Sequence, residues 1–174
     1  DDTNQTKSLK ECYKDGDKRK NLITYVKVED KVCVMNKFKD VKSATYNTVG
    51  NDQIILRYAD VLLMYAEACA KTNDVNGANT ALKLVRKRAG LADKTFAQSD
   101  LMLEIEHQCL LEFFGEGHRF DDLKRWYTTE EIKNIFTENE KQGAEYFQEK
   151  HKYYPIPSGE LNNNDAMVQT ELWR

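Results

Sequence analysis

The stretch that decides the fold is "LEFFGEGHRFDDLKRW", Leu111 to Trp126. It crowds Glu112, Glu116, His118, Arg119, Asp121, Asp122 and Arg125 around Gly115-Glu116-Gly117. Such a density of titratable groups suits an active site, or equally a joint between two helices. The flanking chain favours the joint. Upstream, "DLMLEIEHQCLLEFF" has helical periodicity, with Ser99 placed to cap its start. Downstream, "RFDDLKRW" reads as a short second helix, so the glycines stop one helix before the next begins.

Further upstream, "LRYADVLLMYAEACAKT" from Leu56 is apolar on nearly every face. Only Arg57, Asp60, Glu67 and Lys71 form a thin polar stripe, which predicts a helix buried on several sides. Val75 to Ala89 forms the next helix, with Ala78, Leu82, Val85 and Ala89 on one stripe. Asp74 is its expected N-cap, Arg86, Lys87 and Arg88 suit its negative end, and Gly90 its termination. The short link makes the two helices antiparallel neighbours. Small residues at Ala66 and Ala78 fit one tetratricopeptide-type hairpin, with no second copy one period later.

Before Leu56 the pattern is β. "NLITYVKV" and "KVCVMNKF" predict a small hairpin after a turn at Asp15-Gly16-Asp17, and Lys39 to Asp52 a loop. After Trp126, Thr128 or Thr129 caps a further helix, "TTEEIKNIFTENEKQ". Pro155 and Pro157 in "YYPIPSGEL" impose an extended segment, and Ser158 opens a short turn or helix. The expected fold is mainly α: a tetratricopeptide-like hairpin with further helices and a small β-hairpin near the N-terminus. We treat 1–174 as one domain, with hairpin and loops over 1–52 and the helical part over 53–174.

Bulk properties narrow the function. The chain has 174 residues, 32% charged, with a net charge of −3, and a mean hydropathy of −0.74. Interspersed charges of both signs make no case for nucleic acid, which needs a concentrated positive face. No apolar run approaches the ~20 residues of a membrane-spanning helix. The chain opens on Asp1 without a signal pattern, as a processed product or a piece of a longer protein would. Cys12, Cys33, Cys69 and Cys109 form no C-x-x-C pair, and Cys69 and Cys109 fall at apolar helical positions.

Catalytic constellations are incomplete. Glu104-x-x-His107 is half of a di-iron helix motif, yet the second motif and its facing glutamates are missing, so no metal or cofactor is expected. Glu112 and Glu116 lie one turn apart at a helix end, which does not place two carboxyls across a cleft. There is no nucleophile elbow and no phosphate loop. Among aromatics suited to stacking on sugars or partners (Tyr13, Tyr46, Tyr127, Trp126), Tyr127 and Tyr46 are the candidate ligand contacts, and Trp126 is packing.

Four ordered motifs, "RYADVLLMYAEACAK", "ALKLVRKRAGL", "LEFFGEGHRFDDLKRW" and "YYPIPSGEL", together with the upstream "GDKRKNLITYV", resemble the carboxy-terminal region of the SusD/RagB family. The likeness spans about Asp15 to Trp173. His107 departs from the arginine usual at that point, and the end "NNNDAMVQTELWR" lacks the usual Pro-Gly. The resemblance implies a non-catalytic, surface-exposed outer-membrane lipoprotein of Bacteroidetes type. Such a protein captures oligosaccharide or peptide for a TonB-dependent transporter, and its amino-terminal helices and lipid anchor lie outside this chain. The alternative is a helical-repeat module that binds protein partners. Under either reading Glu112, Glu116, Arg119, Asp122 and Trp126 form a structural helix junction, with Arg119 expected to turn back onto Glu116 or Glu112.

Overall fold

The computed structural model describes residues 12–26, 32–38, 52 and 54–174. The protein is mainly helical. A 3₁₀ turn, Lys18–Leu22, leads into β1 (Ile23–Val26), which pairs antiparallel with β2 (Val32–Met35), Ile23 opposite Met35 and Val26 opposite Val32. Residues 27–31 between them, and Tyr46 with the expected loop around it, lie outside the described residues. The helices are α1 (Tyr58–Lys71), α2 (Val75–Ala89), α3 (Gln98–Glu112), α4 (Arg119–Trp126), α5 (Thr129–Glu138) and α6 (Ser158–Asn163). The chain divides into two compact units, one over Lys7–Arg119 and one over Phe120–Arg174.

In the first unit α1, α2 and α3 each pack on the other two. Leu63 and Ala66 of α1, Ala78, Leu82 and Val85 of α2, and Leu101 and Ile105 of α3 are buried and form the core. The expected ends of α2 are present: the Asp74 carboxylate accepts from the Gly77 N–H, and Gly90 adopts φ 82°, which a side chain would strain. Asn79 pins the following loop, donating to the Phe96 carbonyl (3.0 Å) and accepting from its N–H (2.7 Å). Gln98 donates to the Ala70 carbonyl (2.6 Å). These contacts start α3 at Gln98, with Ala97 in the capping position, so Ser99 is not the cap and bonds Asp100 instead. Cys12, Cys69 and Cys109 are free thiols, the last two buried.

The orientation of α1 departs from expectation. Asp60 and Glu67, two members of the thin polar stripe, are buried, whereas Tyr58, Val61, Met64 and Tyr65 are exposed. The polar groups turn inward because they have partners there. Asp60 accepts from the Arg57 N–H (2.9 Å) and lies 3.6 Å from the His118 imidazole, and Glu67 pairs with Lys71 (2.7 Å). Hydropathy alone could not place the stripe, since an apolar helix offers several faces to bury. Tyr13 also moves from surface candidate to core. It packs with Ile23 and Leu111 and donates to the Leu111 carbonyl (3.0 Å).

The second unit is built around Leu123, Ile132 and Ala144. Thr128 and Glu131 form a reciprocal cap on α5. The two prolines cannot donate, so Ile156 between them presents the only N–H of Pro155–Pro157. Gln169 clamps it, accepting from the Ile156 N–H (3.1 Å) and donating to its carbonyl (3.0 Å). Among the described residues no helix is long and apolar enough to cross a membrane.

Leu82 is fully buried and Leu103 is 73% exposed. Leu82→Ala therefore lowers stability by about 2–5 kcal/mol in urea unfolding, while Leu103→Ala stays within about 0.5 kcal/mol. Equal losses at the two positions would contradict this placement of the core.

Candidate functional site

α3 ends at Glu112 with no basic residue in its last turn. The carbonyls at a helix C-terminus carry partial negative charge, and here the carboxylates of Glu112 and Glu116 add to it. The compensating cations come from distant parts of the chain. Glu112, 2% exposed, accepts from Arg57 (2.6 Å), Arg19 (3.1 Å) and Arg88. Glu116 accepts two bonds from Arg57 (2.8 and 2.7 Å) and one from Lys37. Arg57 also donates to the Glu112 carbonyl (2.8 Å), while Lys37 reaches the carbonyls of Glu112 (2.6 Å) and Phe114 (3.0 Å).

The network extends inward. Asp17 accepts from Arg19 at 3.0 and 2.7 Å, and Arg19 donates on to Gln108 (2.9 Å). Gln108 donates to Glu104 (2.8 Å), whose carboxylate is held by Arg86. Glu104 is thereby committed to an arginine. Arg57 lies over the Phe113 ring (5.1 Å), which stacks on His118 with centroids 4.5 Å apart. Gly115 and Gly117 have φ 75° and 85°, the left-handed region in which glycine is unstrained, and so bring Glu116 back towards Arg57.

The electrostatics determine what these carboxylates can do. Burial pushes the Glu112 carboxyl up, but hydrogen bonds and charge from Arg88 and Arg57 outweigh it and bring it to about 2. Glu116 is likewise raised by burial and lowered further by Arg57 and Lys37. Burial lowers Lys37, partly offset by Glu116, and burial carries the Tyr13 phenol to about 12. A general acid at neutral pH needs a raised carboxyl pKa. Both glutamates are shifted the other way and stay ionised.

Of the residues singled out in the sequence, Glu112 and Glu116 are brought together, with Arg57 between them. Arg119 is not their partner: its Nη1 is buried without a hydrogen bond among the described residues, because nearer cations already fill both carboxylates. Asp122 accepts from Arg125 (3.0 Å), whose guanidinium lies 4.2 Å from the Trp126 ring centroid. Trp126 and Tyr127 are half-buried. The missed members are Arg57, Arg88, Lys37 and Gln108. Only the likeness of "GDKR" to a family element pointed at Asp17 and Arg19, and the bare C-terminus of α3 was the available sign that cations must come from elsewhere.

The cations of Arg19, Arg57, Arg88 and Lys37 thus lock the end of α3. The sequence matches the family model described as SusD family over residues 5–173, and the chain belongs to that family. It is similar, at 31% identity and a TM-score of 0.62, to the crystal structure of a SusD superfamily protein from Bacteroides vulgatus ATCC 8482. That match covers 68% of this chain and 27% of the other, so the chain spans about a quarter of that protein's length. No curated protein matches.

The Glu112 carboxyl falls on folding from an ordinary 4.5 to about 2, so the unfolded state takes up a proton first as the pH drops. Its stabilisation is present above about pH 4.5 and is lost towards pH 2. Urea unfolding across this range will show a steep acid loss for the native chain. Glu112→Gln will show a shallower one, with a cost of about 3–5 kcal/mol at pH 7, because it leaves buried arginines without their charge partner. Identical acid slopes would refute the assignment.

Proposed function

We propose that this chain is the carboxy-terminal part of a surface-exposed outer-membrane lipoprotein that captures glycan, or in some members peptide, without catalysis. It hands the ligand to a TonB-dependent transporter, and a lipid anchor elsewhere in the full-length protein holds it at the membrane. The family match over residues 5–173 carries this reading. The shifted carboxylates support the non-catalytic part, since neither Glu112 nor Glu116 holds a proton to donate near neutrality.

In this reading residues 1–174 act as one domain, with α1 and α2 as a tetratricopeptide-like pair and the two strands closed as a hairpin. Glu112, Glu116, Arg119, Asp122 and Trp126 serve the helix junction. Tyr127 and Tyr46 remain the proposed ligand contacts. A second reading, a module that docks protein partners, is favoured by one observation: the exposed apolar face of α1 at Tyr58, Val61 and Tyr65.

Calorimetric titration of the full-length protein with a panel of oligosaccharides and peptides separates the two. Glycan capture predicts saturable binding in the range of about 1 μM to 1 mM, with no turnover and with co-purification of the transporter. Released product would make it an enzyme. Absence of oligosaccharide binding alongside tight protein capture by the α1 face would favour the docking module.

A further inference from the structure

The second unit contains an open cleft of about 660 Å³. One side is the extended pair Tyr153-Tyr154, 56% and 85% exposed. Lys124, Glu149, Lys152, Thr170 and Leu172 complete the walls. The extended side is held in place: Trp173 donates its indole N–H to the Tyr153 carbonyl (3.1 Å), and Gln169 clamps Ile156. The tyrosine faces are therefore displayed on a fixed support.

The cations in this cleft are held by long or exposed pairs. The Lys152 side chain is 13% exposed, and its ammonium forms a long ion pair with Glu149 at 3.7 Å. Glu149 uses its other oxygen to accept from the Thr129 hydroxyl. So long a pair leaves the ammonium able to take a closer, charge-assisted bond from an incoming oxyanion. Lys124 lies over the Phe120 ring (5.1 Å) and pairs with the exposed carboxylate of Asp121, a surface pair that is readily exchanged. Flat aromatic faces beside such ammonium groups suit a ring with an apolar face that carries a carboxylate.

We propose that this cleft binds an acidic pyranose, the uronic acid residue of a saccharide. Its ring stacks on Tyr154 against Tyr153, and its carboxylate is received by Lys152 and Lys124. The proposal rests on the glycan-capture reading and adds a site and a substrate class to it.

The test is calorimetric titration of the 174-residue chain with a galacturonic acid oligomer, a neutral galactose oligomer of equal length and its sulfated counterpart. The acidic oligomer binds at least about tenfold more tightly than the neutral one, and the preference shrinks as salt rises. Lys152→Met removes that preference, Tyr154→Ala weakens binding at least about tenfold, and Lys87→Met on α2 changes neither. Equal binding of acidic and neutral oligomers, or Lys152→Met binding like the native chain, overturns the site while glycan capture stands. Preference for the sulfated over the uronic oligomer overturns the carboxylate assignment. No binding of any oligosaccharide by this chain overturns the site, and the same result with the full-length protein overturns the capture reading as well. Should Lys152→Met fail to fold, Tyr154→Ala, altered at an exposed ring, carries the decision.

Discussion

A single carboxylate, that of Glu112, fixes where three segments of the first unit meet. It sits where α3 ends, in a place already negative from unpaired carbonyls, and receives three arginines from three parts of the chain: Arg19 before β1, Arg57 at the start of α1 and Arg88 near the end of α2. An ionised carboxylate buried at a helix C-terminus is doubly unfavourable without such partners. The segments that carry the arginines are thereby drawn to one point. Tyr13, Ile23 and Leu111 then close a small apolar cluster beside it. Buried ion pairs of this kind set geometry more than they add net stability, because desolvation offsets much of their attraction. The alanine-rich packing of α1 against α2 supplies the non-directional part of the stability.

The second unit is organised differently. Its short helices and 3₁₀ turns have a modest core, and its carboxy-terminal end is fixed by side chains bonded to backbone, Gln169 to Ile156 and Trp173 to Tyr153. Those contacts leave tyrosine rings facing outward. In the first unit, by contrast, the polar groups of the junction are bonded internally.

Much of the helical fold was legible in the sequence, since caps and periodicity are local signals. Asp74, Gly90 and Thr128 mark their helix ends as capping chemistry requires. Ser99 misled because tertiary contacts from Asn79 and Gln98 override a local cap preference. The direction of α1 was not legible: choosing which side of a mostly apolar helix is buried depends on where His118 arrives beside Asp60, which is long-range information. The same limit applies to the junction. Glu112 and Glu116 stood out by their density of charge, but Arg119, their neighbour in sequence, makes no ion pair with either among the described residues. Their real partners lie 55 residues or more away for Arg57, and 93 for Arg19.

The chain belongs to the SusD family, and the carboxylates of its junction remain ionised. The claim most open to direct measurement is that Glu112 and Arg57 act as one interaction. A double-mutant cycle with Glu112→Gln, Arg57→Met and the double variant, read by urea unfolding at pH 7, measures their coupling. A coupling energy of about 2 kcal/mol or more is predicted for this buried, hydrogen-bonded pair; effects that add within about 0.5 kcal/mol would contradict it.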